Sequence, residues 1–155
     1  MSKNDISSSE EIEEKRYRNF TILLYPEWAD FKDILQDIKG SFKKYAYIKH
    51  IPESDEKKEH FHLILSLDNP RSIRSLSKRL EIPHNLIQAC KSVRASCRYL
   101  VHIDNDDKFQ YSLDQVIVSN SFKSIFFKSF DDLMTDSDIL DLIYNFIDSN
   151  KNKLS

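Results

Sequence analysis

His60 and His62 are the residues of this chain whose type and spacing most directly permit chemistry; they lie in the stretch Glu59-His60-Phe61-His62-Leu63-Ile64-Leu65. A β-strand points alternate side chains to one face, so two imidazoles at i and i+2 aim at one point. That is half of a metal site. Phe61, Leu63, Leu65 and Leu67 take the opposite face, as expected if that side packs on a core and the histidine side is kept for chemistry. His50 and Glu53 come just before the pair, and Tyr99 with His102 follows. Imidazoles with a carboxylate make a mixed nitrogen and oxygen set, which favours a divalent ion such as Mn²⁺, Mg²⁺ or Co²⁺ with positions open to substrate. A catalytic zinc on three histidines is the alternative.

Composition narrows the chemistry further. At 155 residues and 40% hydrophobic, the chain suits one compact domain with a single core and some tail. Gly40 is its only glycine, so a Walker A loop, a dinucleotide fingerprint and a nucleophile elbow are all excluded, and any enzyme here works without ATP. Cys90 and Cys97 lack C-x-x-C spacing and read as reduced structural thiols, with a disulfide as the other option. The polar, acidic first fifteen residues do not resemble a signal peptide, and no apolar run approaches the roughly eighteen residues of a membrane span. A cytoplasmic protein with no membrane partner is expected. Charge is segregated: residues 1–15 carry two Lys/Arg against five Asp/Glu, residues 16–102 sixteen against ten, and residues 103–155 five against ten. A basic centre between acidic ends suits a nucleic-acid surface, although a solvated charge distribution gives the same count.

The elements that must position these residues follow from periodicity. Residues 1–15 read as a mobile acidic arm. Arg18 to Tyr25 is almost continuously apolar and β-prone, the pattern of a central strand covered on both faces, and Pro26 ends it. Trp28 to Ser41 predicts a helix, with Phe31, Ile34, Leu35 and Ile38 at helical spacing. Lys44 to His50 predicts a second strand, and Glu59 to Leu67 the histidine strand, antiparallel to it because the connection is too short for a crossover helix. Asn69-Pro70 predicts a helix start, Asn69 capping and Pro70 first in the helix, running to Leu80 with Arg71, Arg74 and Lys78 as a basic stripe. Such a stripe follows a phosphate backbone or is merely solvated. Asn85 to Cys90 suggests a fourth strand, and Ser92 to Ile103 a helix on which Ala95, Tyr99 and His102 share a face. Lys108 to Tyr111 is expected as an edge strand, Phe122 to Phe130 has no clear assignment, and Asp136 to Asp148 predicts an amphipathic helix capped from Thr135/Asp136. The order β-α-β-β-α-β with a following helix predicts an α+β, ferredoxin-like or RRM-like sandwich with an antiparallel sheet of about five strands.

Three segments carry a resemblance: Asn19-Phe20-Thr21-Ile22-Leu23-Leu24-Tyr25-Pro26-Glu27, the His60 to Leu65 strand, and Arg98-Tyr99-Leu100-Val101-His102. In order and spacing they are similar to the motifs of HUH endonucleases, specifically the replication initiator (Rep) proteins of small rolling-circle plasmids of the streptococcal type. The resemblance spans about residues 16–118 and implies an origin-binding nuclease domain there, followed over 119–155 by a helical extension that looks like part of an oligomerisation module. It implies His50, His60 and His62 as ligands of Mn²⁺ or Mg²⁺, with Glu53 as the acidic ligand or Asp55 in its stead, and Tyr99 as the nucleophile. It also implies single-stranded or hairpin origin DNA as substrate, a homo-oligomer, and indirect work with a host polymerase and helicase.

The implied chemistry suits the residues. A phenol with a pKa near 10 is a poor nucleophile at neutral pH, so a metal is needed to polarise the scissile phosphate for in-line attack by Tyr99. Arg71, Arg74, Lys78, Arg94 and Arg98 are the expected DNA contacts. His102 is either a partner of the phenol or a structural histidine, and Tyr111 is the fallback nucleophile. Rival readings are a relaxase or transposase of the same superfamily, and a non-catalytic RRM-like module whose histidines are incidental.

Overall fold

The histidine stretch forms the middle strand of an open antiparallel sheet in the computed structural model, which describes residues 15–52, 54, 57–141, 143 and 144. The strands are β1 (Arg16–Leu24), β2 (Lys44–His50), β3 (His60–Ser72), β4 (Ile87–Ala89) and β5 (Ile117–Val118); the helices are α1 (Phe31–Ser41), α2 (Ile73–Leu80), α3 (Val93–Leu100) and α4 (Lys123–Lys128). Their order across the sheet is β4-β1-β3-β2-β5, every neighbouring pair antiparallel. The first four strands with α1 and α2 make the expected ferredoxin-like α+β sandwich.

The odd–even alternation of β3 sorts the core into two layers. Leu63 and Leu65 join Phe20, Ile22 and Leu24 of β1 beneath Ile34 and Ile38 of α1 and Leu76 and Leu80 of α2. On the histidine face, Ile64 of β3 with Ala46 and Ile48 of β2 packs against Cys97 and Leu100 of α3 and against Phe122, Phe126 and Phe130. The histidine face is therefore open only along β1 and β4. The Phe-rich stretch accounts for this: three fully buried rings contribute on the order of 2–3 kcal/mol each, and the sheet face is the surface they bury against. β1 accordingly buries Phe20, Ile22 and Leu24 on one face and leaves Thr21 and Leu23 half-buried on the other. Cys90 and Cys97 are free thiols, and burial pushes Cys97 up to about 12, which makes it inert.

Several boundaries differ from the sequence expectation. Asn69 and Pro70 do not start a helix. β3 runs on to Ser72, its register against β1 slipping between Ser66 and Arg71, and Pro70 sits in that irregular stretch where the ladder asks no N–H of it. Ser72 is the N-cap, its Oγ accepting from Ser75 N at 3.1 Å. α1 begins at Phe31 rather than Trp28, and the fourth strand shortens to Ile87–Ala89 after a 3₁₀ turn at His84–Leu86. α3 stops at Leu100, and His102 takes a left-handed φ of 61°, which removes it from the helical face of Ala95 and Tyr99. Lys108 to Tyr111 is not a strand; the edge is Ile117–Val118, paired with Ala46 and Tyr47. Within the unassigned stretch, residues 120–128 form a 3₁₀ turn followed by α4. Residues 136–141 are helical behind a reciprocal cap, Asp138 N to Thr135 Oγ1 at 3.1 Å and Thr135 N to Asp138 Oδ2 at 3.2 Å. The rest of that predicted helix, beyond 144, and residues 1–14 of the arm lie outside the described residues.

Candidate metal centre and nucleophile

Strand register builds the imidazole cluster. His50, the last residue of β2, pairs directly with His60, and Ile48 pairs with His62, so His50 shares the face of the two β3 histidines. One ligand nitrogen from each of His50, His60 and His62 lies within 4.8 Å of the others. Two nitrogens bonded to one ion at about 2.1 Å sit roughly 3–3.5 Å apart, so closure asks for side-chain movements of about an ångström. Backbone carbonyls orient two of the rings: His50 Nε2–H donates to Leu100 O at 2.8 Å and His60 Nδ1–H to Lys58 O at 3.1 Å, which leaves the opposite nitrogen of each with its lone pair. His62 Nδ1 is buried with no partner, a cost that a bound cation would relieve. Burial holds His62 down to about 3 and His50 to about 4, with the neighbouring imidazoles and Lys108 pushing the same way. Neutral imidazoles are what a metal requires, and the donor set fits a divalent ion. Glu53 and Asp55, the candidates for the acidic ligand, lie outside the described residues.

The nucleophile candidate comes from α3. Ser92 caps this helix, its Oγ accepting from Ala95 N at 3.1 Å, and Cys97 and Leu100 turn into the core. The opposite side of the helix, with Ala95 and Tyr99, faces a cleft of about 450 Å³ whose floor is Thr21, Leu23 and Gln88 of the sheet. His62 and Tyr99 both line it. The Tyr99 ring stands 5.2 Å from that of His62 and 6.4 Å from that of His50, centroid to centroid. Lys108 Nζ donates to Tyr99 Oη at 3.2 Å.

Residues 101–111 form a closed loop beside this cluster. His102 is 5% exposed and donates from Nδ1 to Phe109 O at 2.8 Å, while its ring lies 4.5 Å from His50 and 5.0 Å from Tyr99. Tyr111 is buried against His50 with its hydroxyl engaged by Ile51 N–H. Lys108 and Gln110 were not legible as site residues, because a lone lysine and glutamine beside Asp104, Asp106 and Asp107 match no motif.

The five cations expected on DNA separate into two groups. Arg98 is committed to the frame: Nε and Nη2 meet Asp104 at 2.8 and 2.9 Å, Nη1 meets Asp132 at 2.7 Å and Ser129 O at 3.0 Å, and the side chain is 12% exposed. Arg94 pairs with Asp131 at 2.8 Å and donates to Lys128 O at 3.2 Å. Both fasten α3 to the acidic segment after α4, Arg98 with its side chain largely buried and Arg94 with its side chain about half exposed. Arg71 is the penultimate residue of β3, and Arg74 and Lys78 are exposed on α2, the layer opposite the histidines. There Lys15, Arg74, Lys78 and His84 line a second cleft of about 560 Å³.

Residues 12–124 match the family model described as plasmid replication protein, origin binding domain. The chain is also similar to a replication protein of Staphylococcus aureus, 30% identical over 125 residues that cover 76% of this chain and 62% of that protein. Replication protein RepB of Lactiplantibacillus plantarum is 32% identical over 102 residues, 63% of this chain and 46% of that protein. The chain thus spans about half to three fifths of the length of these curated relatives. The family match contains β1 through β5 and only the first two residues of α4, and with them every imidazole of the cluster and Tyr99.

Proposed function

Given that the chain belongs to the plasmid replication proteins that carry an origin-binding domain, we propose that it is an HUH-type endonuclease of the streptococcal plasmid kind, which starts rolling-circle replication by nicking one strand of origin DNA. The observation that carries the reading is the Tyr99 phenol beside three convergent imidazoles at the edge of an open cleft. A single strand, or the loop of an extruded hairpin, enters the cleft over Thr21, Leu23 and Gln88 and brings its scissile phosphate between His62 and Tyr99. His50, His60 and His62, with Glu53 or Asp55 as the acidic ligand, would hold a divalent ion, Mn²⁺ or Mg²⁺, which would supply Lewis-acid polarisation of the scissile phosphate. Tyr99 Oη bonds to phosphorus as the P–O3′ bond breaks, giving a 5′-phosphotyrosine and a free 3′-OH. One phosphodiester is exchanged for another, so no ATP is needed and the 3′-OH can reseal the strand or prime a host polymerase, with a host helicase opening the duplex.

On the far side of the sheet, Arg74 and Lys78, with Lys15, line the second cleft and, together with Arg71 near the end of β3, are the cations assigned to the phosphates of duplex flanking the nick. This division of labour keeps duplex on one layer and the reacting single strand on the other. Leu133, Leu140 and Tyr144, each more than half exposed, supply apolar surface for a homo-oligomer through the segment after 119. The protein acts in the cytoplasm, where plasmid DNA is.

The test is a selection of single-stranded oligonucleotides captured covalently in Mn²⁺ or Mg²⁺. Capture of a defined sequence as an SDS-resistant adduct at its 5′ end supports the reading; tight binding of origin DNA with no adduct in any divalent metal would leave a binding module.

A further inference from the structure

The Tyr99 hydroxyl has a cationic neighbour that no motif marks. Lys108 Nζ donates to Tyr99 Oη at 3.2 Å and lies 5.5 Å from the centre of the same ring. The loop that returns Lys108 to α3 is closed on itself. Gln110 Nε2 reaches the carbonyls of His102, Asn105 and Lys108 at 2.8, 2.9 and 3.0 Å, and Lys108 N bonds Asn105 O at 3.0 Å. His102, in its left-handed backbone, ties the other side of the loop to Phe109 O at 2.8 Å. A lysine on a free loop would lose most of its rotamer entropy on reaching a phenol, whereas here the backbone is already fixed and the side chain is half-buried.

We propose that Lys108 is a catalytic residue whose ammonium stabilises the negative charge on the Tyr99 oxygen, both as nucleophile in nicking and as leaving group in resealing; the proposal rests on the reading of Tyr99 as the nucleophile. In nicking, the Oη–P bond forms as the P–O3′ bond breaks, the phenol proton passes to water, and the departing 3′ oxygen takes a proton from water. In resealing, the 3′-OH attacks the phosphotyrosine and the phenolate departs, its charge met by the Lys108 hydrogen bond until water protonates it. A charged donor held against the reacting oxygen acts on charge that develops only in the transition state, and there its effect is largest.

The experiment compares wild type, Lys108→Met, Lys108→Gln, Lys108→Arg and Tyr99→Phe in single-turnover nicking and resealing, with thermal melting and DNA binding measured on each. Lys108→Met and Lys108→Gln are expected to slow both directions by about 10²-fold with melting and DNA affinity near wild type, and Lys108→Arg to recover most of the rate. A substrate with sulfur in place of the scissile 3′ oxygen has a leaving group that needs no help; it is expected to accelerate wild type and Lys108→Met alike, so the gap between them persists. Closure of the gap with that substrate would put Lys108 on the 3′ oxygen instead and overturn the proposal. So would Lys108→Met and Lys108→Gln enzymes that nick at the wild-type rate. Loss of activity in Tyr99→Phe alongside active Lys108 variants would sink the lysine but keep the nucleophile, whereas an active Tyr99→Phe enzyme would sink the nucleophile itself.

Discussion

Tyr111 lies nearly flat on His50, ring centres 5.0 Å apart and planes 14° from parallel, and its hydroxyl accepts the Ile51 N–H at 2.8 Å. The ring backs one ligand candidate while the oxygen fastens the chain just beyond β2, so Tyr111 reads as a support rather than a second nucleophile. Tyr111→Phe is expected to cost about 1 kcal/mol in denaturant unfolding, one hydrogen bond lost with the stack kept. Tyr111→Ala, which also opens a cavity behind His50, is expected to cost about 3–5 kcal/mol. Peptide mapping of the DNA adduct onto Tyr111 would contradict this assignment.

Tyr99→Phe removes one oxygen and keeps the ring that packs beside His62 and His102. Strand cleavage should fall by several orders of magnitude with melting and metal binding near wild type. In the wild type the nucleotide should map to Tyr99.

Removal of the metal should stop nicking and leave DNA binding largely intact, because the proposed duplex contacts lie on the layer opposite the imidazoles. Loss of a group that hydrogen-bonds a metal ligand typically costs about 10–100-fold in metal affinity, so His62→Ala, which deletes a proposed ligand itself, should cost at least about 100-fold by Mn²⁺ titration. Equal cleavage in excess chelator would end the metal argument.

The buried histidines make folding pH-dependent. With His62 held to about 3 and His50 to about 4 by burial, both stay neutral in the folded chain while the unfolded chain takes up protons below about 6.5. Their contribution is fully present above pH 6.5 and is lost as pH falls from there toward 4. A loss on the order of 5 kcal/mol across that window, about 1.4 kcal/mol per pH unit for each histidine, is expected for the metal-free protein in urea unfolding at successive pH values. A flat profile from pH 7 to 4.5 would show that the imidazoles are hydrated.

Arg98 and Lys78 should separate structure from binding. Arg98→Met leaves Asp104 and Asp132 without their shared cation and is expected to cost about 1–3 kcal/mol of stability. Lys78→Gln, on an exposed helical face, should leave melting unchanged, weaken DNA binding and reduce its salt slope by up to about one unit. If Arg98→Met instead weakened DNA binding with no loss of stability, the ion pairs to the acidic segment would not be what that side chain is for.

The strand pattern was readable because alternation has a period of two and admits one register for a buried face: Phe61, Leu63 and Leu65 fixed which way His60 and His62 point. The Asn69-Pro70 helix start was misread because local capping preference competes with strand pairing, and here β1 continues to pair with β3 as far as Ser72. His102 was placed on a helical face by counting residues, yet the helix ends two residues earlier and a left-handed turn re-aims the ring. The roles of Arg94 and Arg98 depend on Asp104, Asp131 and Asp132, and sequence spacing does not say which of ten downstream carboxylates folds back onto α3.

β3 lies third among five strands, laddered on both sides, and His62 sits between Leu23 of β1 and Ile48 of β2. Amide protons there are expected to exchange only when the sheet opens, whereas α3 is attached by one helical face and the Arg98 ion pairs. The proposed ligands and the proposed nucleophile thus sit on elements expected to open at different energies. On warming, α3 is expected to loosen before the imidazoles part, so strand cleavage should be lost at a lower temperature than metal affinity.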